Sequence, residues 1–180
     1  IGGFCAMEGE ESESDDPHSL SNQGFWKKVL VFAAGAAMNF LAGVLILLAL
    51  NSRAAGFVVP VISGTAPEFA AVNNGQTLEE GDVFYAINGS RVYLASDVEL
   101  LLTLADRQPI DLTVLRDGER VELKQLPVRT YTDSAGGSYE GYGLYRGTMI
   151  QEATLGLKLK YTWYNAVDFV RIVWYSLKML

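Results

Sequence analysis

The stretch VLVFAAGAAMNFLAGVLILLAL, residues 29–50, decides the fold class of this 180-residue chain. Asn39 is its only strongly polar side chain. At about 1.5 Å per residue, a helix of this length reaches roughly 33 Å, which is enough to cross a hydrocarbon core of about 30 Å. A buried helix of a soluble protein is the alternative, but such helices are usually shorter and carry charge on one face. The stretch therefore predicts a transmembrane helix over residues 29–50.

The residues that flank this helix predict its orientation. Lys27 and Lys28 precede it, whereas Arg53 alone follows it closely. Short cytoplasmic loops are enriched in Lys and Arg. We therefore expect residues 1–28 on the cytoplasmic side and the following domain on the outer face of a cell membrane.

The acidic charge of the chain is local. The formal net charge is −7, but six of the 21 acidic residues fall close together near the start of the chain: Glu8, Glu10, Glu11, Glu13, Asp15 and Asp16. Such a cluster is typical of a solvated loop. The rest of the chain has no basic stripe that could neutralise phosphates, which argues against a nucleic-acid partner.

Two hairpins are predicted after the apolar helix. GDVFYAINGSRV, residues 81–92, contains two strand-like runs joined by Asn88-Gly89. IDLTVLRDGERVELKQL, residues 110–126, has the same pattern around Asp117-Gly118. Asn-Gly and Asp-Gly are the residue pairs that tight hairpin turns prefer.

A helix is predicted between these hairpins. SDVELLLTLA, residues 96–105, has Ser96 as a candidate N-cap and Glu99 three residues later, followed by apolar residues at helical spacing. Together with the hairpins it predicts a small α+β domain over residues 54–128.

The remaining residues, 129–180, predict a connector and a helix. Residues 129–148 are rich in Gly, Tyr and Ser and indicate an irregular connector with one short strand. From about Thr154, apolar side chains recur on one helical stripe: Trp163, Val167, Val170, Trp174 and Leu177. Charged residues interrupt the other faces, so the pattern favours an amphipathic helix on the surface of a lipid bilayer. A helix packed on the α+β domain is the alternative.

Metal ligands are scarce in this chain. Cys5 and His18 are its one cysteine and one histidine. A protein zinc site needs three or four ligands, so we expect no metal bound by this chain alone. Because the sequence opens at Ile1 without a Met, we interpret it as an internal part of a longer protein.

Asn39 needs an explanation inside an apolar helix. An amide in hydrocarbon is costly unless a partner satisfies its hydrogen bonds. Gly35, Asn39 and Gly43 lie on one stripe, where small residues allow another helix to approach closely. Helix packing without chemistry is one interpretation, and contact with a substrate is the other.

The run IGGFCAMEGEE, residues 1–11, followed by the apolar helix resembles the site-2 protease family of intramembrane zinc metalloproteases, in its bacterial form. In that family a Gly-Gly-aromatic segment forms a membrane-re-entrant β-loop beside the active site. Gly2, Gly3 and Phe4 match this segment. The resemblance implies that they hold an unwound substrate by adding it as a strand.

A second part of the resemblance lies in the helix itself. The family's second core helix carries a G-x-x-x-N-F pattern, which Gly35, Asn39 and Phe40 match. The chain departs from the family at Ala36, where a Pro is frequent. The resemblance implies that Asn39 bonds the substrate backbone or holds the re-entrant loop.

The stretch SGTAPEFAAVNNGQTLEEGDVFYAINGSRV, residues 63–92, resembles a PDZ domain, which the family often inserts after that helix. The resemblance implies peptide binding. The preceding residues Gly56, Phe57, Val58 and Val59 are the candidates to offer backbone N–H groups to a peptide. Alternatively, Phe57 and Val59 belong to the core, and the domain is a steric gate that excludes bulky substrates.

The resemblance implies a multi-pass zinc protease of the bacterial inner or plasma membrane that cleaves single-span membrane proteins, such as anti-sigma factors or signal-peptide remnants. Its Zn²⁺ would be held by an HExxH helix and a later Asp, both expected outside this chain. The implied partners are transmembrane substrates, the lipid bilayer and the remaining catalytic helices. The rival interpretations are a non-enzymatic membrane-anchored PDZ scaffold, and a chaperone or accessory domain of a serine protease.

Overall fold

The computed structural model describes residues 16, 19, 22–132 and 136–178. They fall into two compact units, with the division after Ile46. The predicted re-entrant loop at Gly2, Gly3 and Phe4 lies outside the described residues, as does nearly all of the acidic loop.

The first unit contains most of helix α1, Phe25–Ser52. It is the one helix in the described part of the chain that is long and apolar enough to cross a membrane. The predicted span of residues 29–50 is therefore confirmed as a candidate. The helix begins at Phe25, ahead of the predicted span, and the N–H groups of Lys27 and Lys28 bond to the Gly24 carbonyl at 2.9 and 3.2 Å.

The second unit is a mixed domain of helices and sheet. Its elements in chain order are β1 (Gly56–Thr65), α2 (Phe69–Val72), β2 (Val83–Ile87), β3 (Ser90–Arg91), α3 (Ala95–Leu104), β4 (Ile110–Arg116), β5 (Glu119–Leu126), β6 (Arg129–Thr132), β7 (Ser138–Gly141), β8 (Leu144–Glu152) and α4 (Leu155–Lys178). The main sheet has the antiparallel order β5-β4-β2-β1-β8, with β3 paired to β2. Strands β6 and β7 form a separate pair.

Both predicted hairpins are confirmed. Asn88 and Gly89 join β2 to β3 with φ angles of 49° and 73°, and Asp117 and Gly118 join β4 to β5 with φ angles of 52° and 85°. Two consecutive residues at positive φ give the turn whose twist matches that of antiparallel strands. Local sequence was sufficient here because the turn is a property of two residues.

The main core joins α2 and α3 to the sheet. Its most completely buried large side chains come from five elements: Ile62, Phe69, Ile87, Ile110, Leu112, Val114, Leu123 and Leu126. Helix α3 begins one residue before the predicted N-cap Ser96, and Asp97 rather than Glu99 bonds back to the chain ahead of the helix, through the N–H of Leu94 at 3.0 Å.

The C-terminal boundary of this domain differs from the predicted one at residue 128. Strand β8 pairs with β1 over its whole length, from Gly56 opposite Glu152 to Thr65 opposite Leu144. The segment interpreted as a connector therefore supplies a full strand of the main sheet. Most of β8 is exposed, so its sequence lacks the apolar alternation of a half-buried strand.

One face of α4 packs on the sheet domain. The rings of Phe57 in β1 and Tyr161 in α4 are stacked, with centroids 4.2 Å apart and an interplanar angle of 11°. Most of the predicted apolar stripe remains exposed, at Trp163, Val170, Trp174 and Leu177. Packing on the domain thus uses another face of the helix, and placement of the stripe on a bilayer stays a prediction.

Candidate functional site

The outer edge of the main sheet is the first component of a candidate site. Strand β8 ends the sheet order, so one of its edges has no partner strand within the described residues. Pro60 of β1 lies opposite Thr148 of β8. Because proline has no N–H, this pair cannot exchange both bonds of a hydrogen-bonded pair. Thr148 therefore directs its own N–H and C=O away from β1.

The hydrogen bonds of β1 support this register. Ile62 lies opposite Arg146, two positions along from Thr148. The Ile62 N–H bonds to the Asp82 carbonyl at 2.8 Å, and the Ile62 carbonyl accepts the Gly81 N–H at 2.9 Å, both away from β8. Arg146 and Thr148 consequently present backbone donors and acceptors at the open edge, in the spacing that an added strand requires.

A groove runs beside this edge, between β8 and α3. It has a volume of about 320 Å³. Its lining comes from both elements and from the sheet beneath: Ala95, Val98 and Glu99 of α3, Arg146, Gly147 and Thr148 of β8, and Pro60 and Phe84. An apolar floor with one carboxylate and one guanidinium on its walls suits an extended peptide with mixed side chains.

A second cavity of about 550 Å³ continues the groove toward the start of β8, because Glu99 and Arg146 line both. The turn Gly141–Leu144 forms one wall of this cavity. Two bonds hold the turn: the Ala66 N–H donates to the Gly143 carbonyl at 2.8 Å, and the Tyr142 hydroxyl donates to the Gln108 carbonyl at 2.7 Å.

Gly143 cannot be replaced without strain. Its φ is +71°, and an added Cβ would lie 2.7 Å from the ring atom Cε1 of Tyr131. Tyr131 itself is buried. The buried Tyr131 ring therefore holds the turn ahead of β8 in place.

Positive charge at this end of the groove comes from Arg107. Its Nη1 lies 2.8 Å from Glu140 Oε2, and both side chains are largely exposed. An exposed pair is weak in water. The carboxylate at the end of a bound peptide can therefore compete with Glu140 for this guanidinium at low cost.

A buried ion pair joins the end of β4 to the residue just before β2. Arg116 donates to both carboxylate oxygens of the buried Asp82, at 2.9 and 2.7 Å. Burial alone would raise the pKa of Asp82, but the bonds from Arg116 and from the Glu79 N–H outweigh it and lower that pKa. The aspartate is therefore held ionised next to Ile62, whose N–H bonds to its carbonyl.

The structure places the predicted peptide-binding residues in β1, where β8 pairs with them, and not at a free sheet edge. Gly56, Phe57, Val58 and Val59 are all paired with β8 on one side. On the other side, Tyr161 donates to the Val58 carbonyl at 3.4 Å. Phe57 and Val59 belong to a buried cluster, as the gate interpretation expected. Their role in peptide binding stays a prediction, and the structure offers β8 as a different edge.

Asn39 lies in the other unit, and its side chain is exposed. A Cβ added at Gly35 or Gly43 would meet nothing within 4 Å. The stripe is thus open to a neighbouring helix, and its contact with protein or substrate stays a prediction.

Sequence reasoning missed the groove residues Glu99, Arg146 and Thr148. A signal was present in the segment EGYGLY, residues 140–145, in which two glycines precede a strand. A Gly-rich turn that opens an edge strand is a typical carboxylate-binding arrangement of backbone N–H groups.

The described residues contain no group of three or more His, Cys, Asp and Glu side chains that could hold a metal ion. Cys5 and His18 lie outside them. The side chains of the described residues therefore do not form a zinc site, and no chemical step through a metal can be derived from them.

The described residues thus combine a candidate membrane helix with a sheet domain that has an open edge strand. The chain belongs to peptidase family M50, the site-2 protease family, whose model matches residues 1–180. Members of this family are membrane proteases, and the family implies Zn²⁺ in the intact enzyme.

Three relatives illustrate this membership, each provisionally named a zinc metalloprotease. The protein from Clostridium perfringens is 34% identical over 119 residues, which cover 66% of this chain and 35% of the relative. A protein from Clostridium acetobutylicum is 24% identical over 180 residues, which cover 100% of this chain and 51% of the relative. A protein from Thermotoga maritima is 29% identical over 140 residues, which cover 74% of this chain and 26% of the relative. The chain thus spans between a quarter and half of these relatives.

Proposed function

We propose that this chain is the substrate-handling part of an intramembrane zinc metalloprotease that cleaves single-span membrane proteins. Membership of family M50 supports the protease class. In this proposal the zinc ligands come from parts of the intact protein outside this chain, and anti-sigma factors or signal-peptide remnants are the substrates. The sheet domain acts as a PDZ-like domain on the outer face of the bacterial membrane.

The open edge of β8 beside α3 carries the proposal. An extended chain end pairs with the outward N–H and C=O groups of Arg146 and Thr148. Its side chains enter the groove between the two elements, and its carboxylate meets the Gly141–Leu144 turn and Arg107. Strand addition supplies affinity through the backbone, while the groove selects alternate side chains.

Replacement of Thr148 tests strand addition. Thr148→Pro removes an outward N–H without breaking the β1–β8 pairing, because that N–H faces away from β1. We expect the affinity for C-terminal peptides to fall about tenfold, the loss of one backbone bond with its partner left unpaired. The measurement is fluorescence anisotropy of labelled peptides with the 180-residue chain in detergent micelles.

Thr148→Val is the matched control, since it keeps the N–H and the side-chain volume. It should bind within about threefold of the unaltered chain. If no peptide binds the unaltered chain, peptide capture is refuted and the steric-gate interpretation is favoured. If the proline and valine variants bind equally well, the β8 edge is not where the peptide lies.

A further inference from the structure

The open edge of β8 continues beyond the groove toward α4. The register shift between β1 and β8 lies near the start of β8, and none follows along the rest of the strand. At the far end, the Ala153 N–H bonds to the Ala55 carbonyl at 3.0 Å. In an antiparallel pair, residues that bond the partner strand alternate with residues that face away from it. Ile150 and Glu152 therefore direct their N–H and C=O groups to the open edge, as Thr148 does.

An apolar ledge, formed by Gly56, Val58 and Ile150, lies beside this part of the edge. Val58 is directly opposite Ile150, and the two residues are 49% and 77% exposed. A Cβ added at Gly56 would lie 2.7 Å from Ile150 Cγ2, so the Ile150 side chain lies over that glycine. Exposed apolar side chains next to unpaired backbone groups indicate a surface where another chain binds.

The ledge lies on the same face of the sheet as the groove. Successive side chains of a strand alternate between the two faces. Arg146 and Thr148 line the groove, so Ile150 and Glu152 share their face, two and four positions after Thr148. At about 3.4 Å per residue, the edge from Arg146 to Glu152 is about 20 Å long. An added strand of about seven residues covers it.

Glu152 places a negative charge at the end of this edge. Its side chain is exposed and forms no ion pair within the part of the chain that the structure describes. Lys160 and Arg91 line the same cavity as Glu152, but the Lys160 Nζ lies 5.4 Å from the ring centroid of Tyr164, and the Arg91 Cζ lies 3.3 Å from that of Tyr85. Opposite charges that face each other across two antiparallel strands are stabilising. A cation on an added strand can therefore pair with Glu152.

We propose that the β8 edge binds an extended ligand as far as Glu152, and that it selects a large apolar residue opposite Ile150 and a basic residue opposite Glu152. The ligand is the chain end of the proposed function, on which this inference rests. A terminal carboxylate at the Gly141–Leu144 turn makes that chain end antiparallel to β8. The basic residue therefore precedes the apolar residue by two positions in the ligand.

The register fixes where this pair lies in the ligand. Strand β8 begins at Leu144. With the terminal residue of the ligand opposite Leu144, the residue opposite Ile150 lies six positions before it, and the residue opposite Glu152 lies eight positions before it. A slip of one residue turns both side chains to the other face of the sheet. Selection must therefore alternate with a period of two.

Labelled eleven-residue peptides with a free C-terminal carboxylate test this register in the 180-residue chain in detergent micelles. The peptides consist of Ser and Thr, with one Lys-Ser-Leu unit that is moved one position at a time. Fluorescence anisotropy should give the highest affinity with Leu six positions before the terminal residue, and about fivefold lower affinity after a shift of one position. A maximum displaced by one position, or no maximum at all, overturns the selection.

Ile150→Asn tests the ledge. The preference for Leu should be lost and the affinity should fall about fivefold, because the apolar contact is removed. Met149→Asn is the matched control, since Met149 is 46% exposed on the same strand but on the other face. It should bind the peptides as the unaltered chain does. Equal losses of affinity in the two variants overturn the assignment of the selection to Ile150.

Glu152→Lys tests the charge pair. This variant should bind a Glu-Ser-Leu peptide about two- to fivefold more tightly than the Lys-Ser-Leu peptide, the reverse of the unaltered chain. Glu122→Lys makes the same charge change at an exposed position of β5, the opposite edge of the sheet, and should keep the preference for Lys. The same reversal in both variants would show that net charge sets the preference, and would overturn the pair.

The outcomes separate this inference from the proposed function. If no peptide binds the unaltered chain, the proposed function fails and the extended edge fails with it. If peptides bind but Ile150→Asn and Glu152→Lys leave their affinities unaltered, the proposed function stands and the extension to Glu152 is overturned. Affinity that falls as the chain concentration rises would assign the edge to a second copy of the chain and overturn a peptide as its ligand.

Discussion

At the residue scale, Arg116 stabilises the ionised form of the buried Asp82 carboxylate. The guanidinium bonds both carboxylate oxygens and also lies 2.7 Å from Glu79 Oε1. The Asp82 pKa is lowered, so this pair stabilises the fold above the ordinary pKa of an aspartate, and its contribution is lost as the pH falls through the lowered value.

Arg116→Met should therefore destabilise the chain by about 3 kcal/mol, because a buried carboxylate is left without its partner. The free energy of unfolding, measured by urea denaturation in micelles with circular dichroism as the probe, checks this. Arg107→Met is the matched control: its partner Glu140 is largely exposed, so the loss should stay below about 1 kcal/mol. Equal losses of unfolding free energy in the two variants would show that burial of Asp82 does not determine the cost of removing its partner.

Gly143 offers a second test at the residue scale. Gly143→Ala combines positive φ with a clash against Tyr131, whereas Gly89→Ala has positive φ but open space around the added Cβ. We expect a loss of about 1 to 2 kcal/mol at Gly89 and about 1 to 3 kcal/mol more at Gly143. Thermal denaturation of the two variants measures the difference, and similar melting temperatures would show that Tyr131 moves aside.

At the element scale, sequence predicted the two hairpins, whose cause is local. The turns at Asn88-Gly89 and Asp117-Gly118 depend on two residues each, and both hairpins were predicted correctly. Strand β8 depends on a partner some ninety positions earlier, since Val58 lies opposite Ile150. Its exposed faces leave no apolar alternation, so the only local signal for it is the pair of glycines that precedes it, and the groove that it forms was missed as well.

The placement of α4 on a bilayer is testable by fluorescence. In a chain with Trp26→Phe and Trp163→Phe, Trp174 is the one remaining tryptophan, and it is exposed. After reconstitution into lipid vesicles, lipids brominated near the headgroup should quench its emission, because interfacial tryptophans lie at that depth. Emission that responds to aqueous iodide and not to brominated lipid would contradict the prediction.

At the scale of the whole molecule, the family assignment covers both units. The family match over residues 1–180 agrees with the resemblance first suggested by the apolar helix and its neighbours. The sequence identified the stripe of Gly35, Asn39 and Gly43 in the apolar helix. In the structure Asn39 is exposed, and a Cβ added at either glycine would meet nothing within 4 Å. What covers that stripe depends on neighbouring helices, so no pattern within this chain could predict it.

Asn39→Leu in the intact protease tests that stripe. We expect cleavage of a single-span substrate to fall at least about tenfold, because the amide is proposed to bond an unwound backbone. Zinc content, measured by mass spectrometry of the purified protein, should remain unchanged. Asn51→Leu, near the C-terminal end of the helix, removes a hydrogen bond to Thr162 and serves as a comparison for general effects on α1. Unaltered turnover in the Asn39 variant would leave only a packing role.

The short connection between β8 and α4 has a geometric consequence. Strand β8 ends at Glu152 and α4 begins at Leu155, so only two residues separate them. Such a tether spans about 10 Å at full stretch. With α4 resting on lipid headgroups, the end of the peptide-binding edge could rise no farther than that from the bilayer. A substrate whose terminal carboxylate binds along this edge would then need only a short tail beyond its membrane anchor.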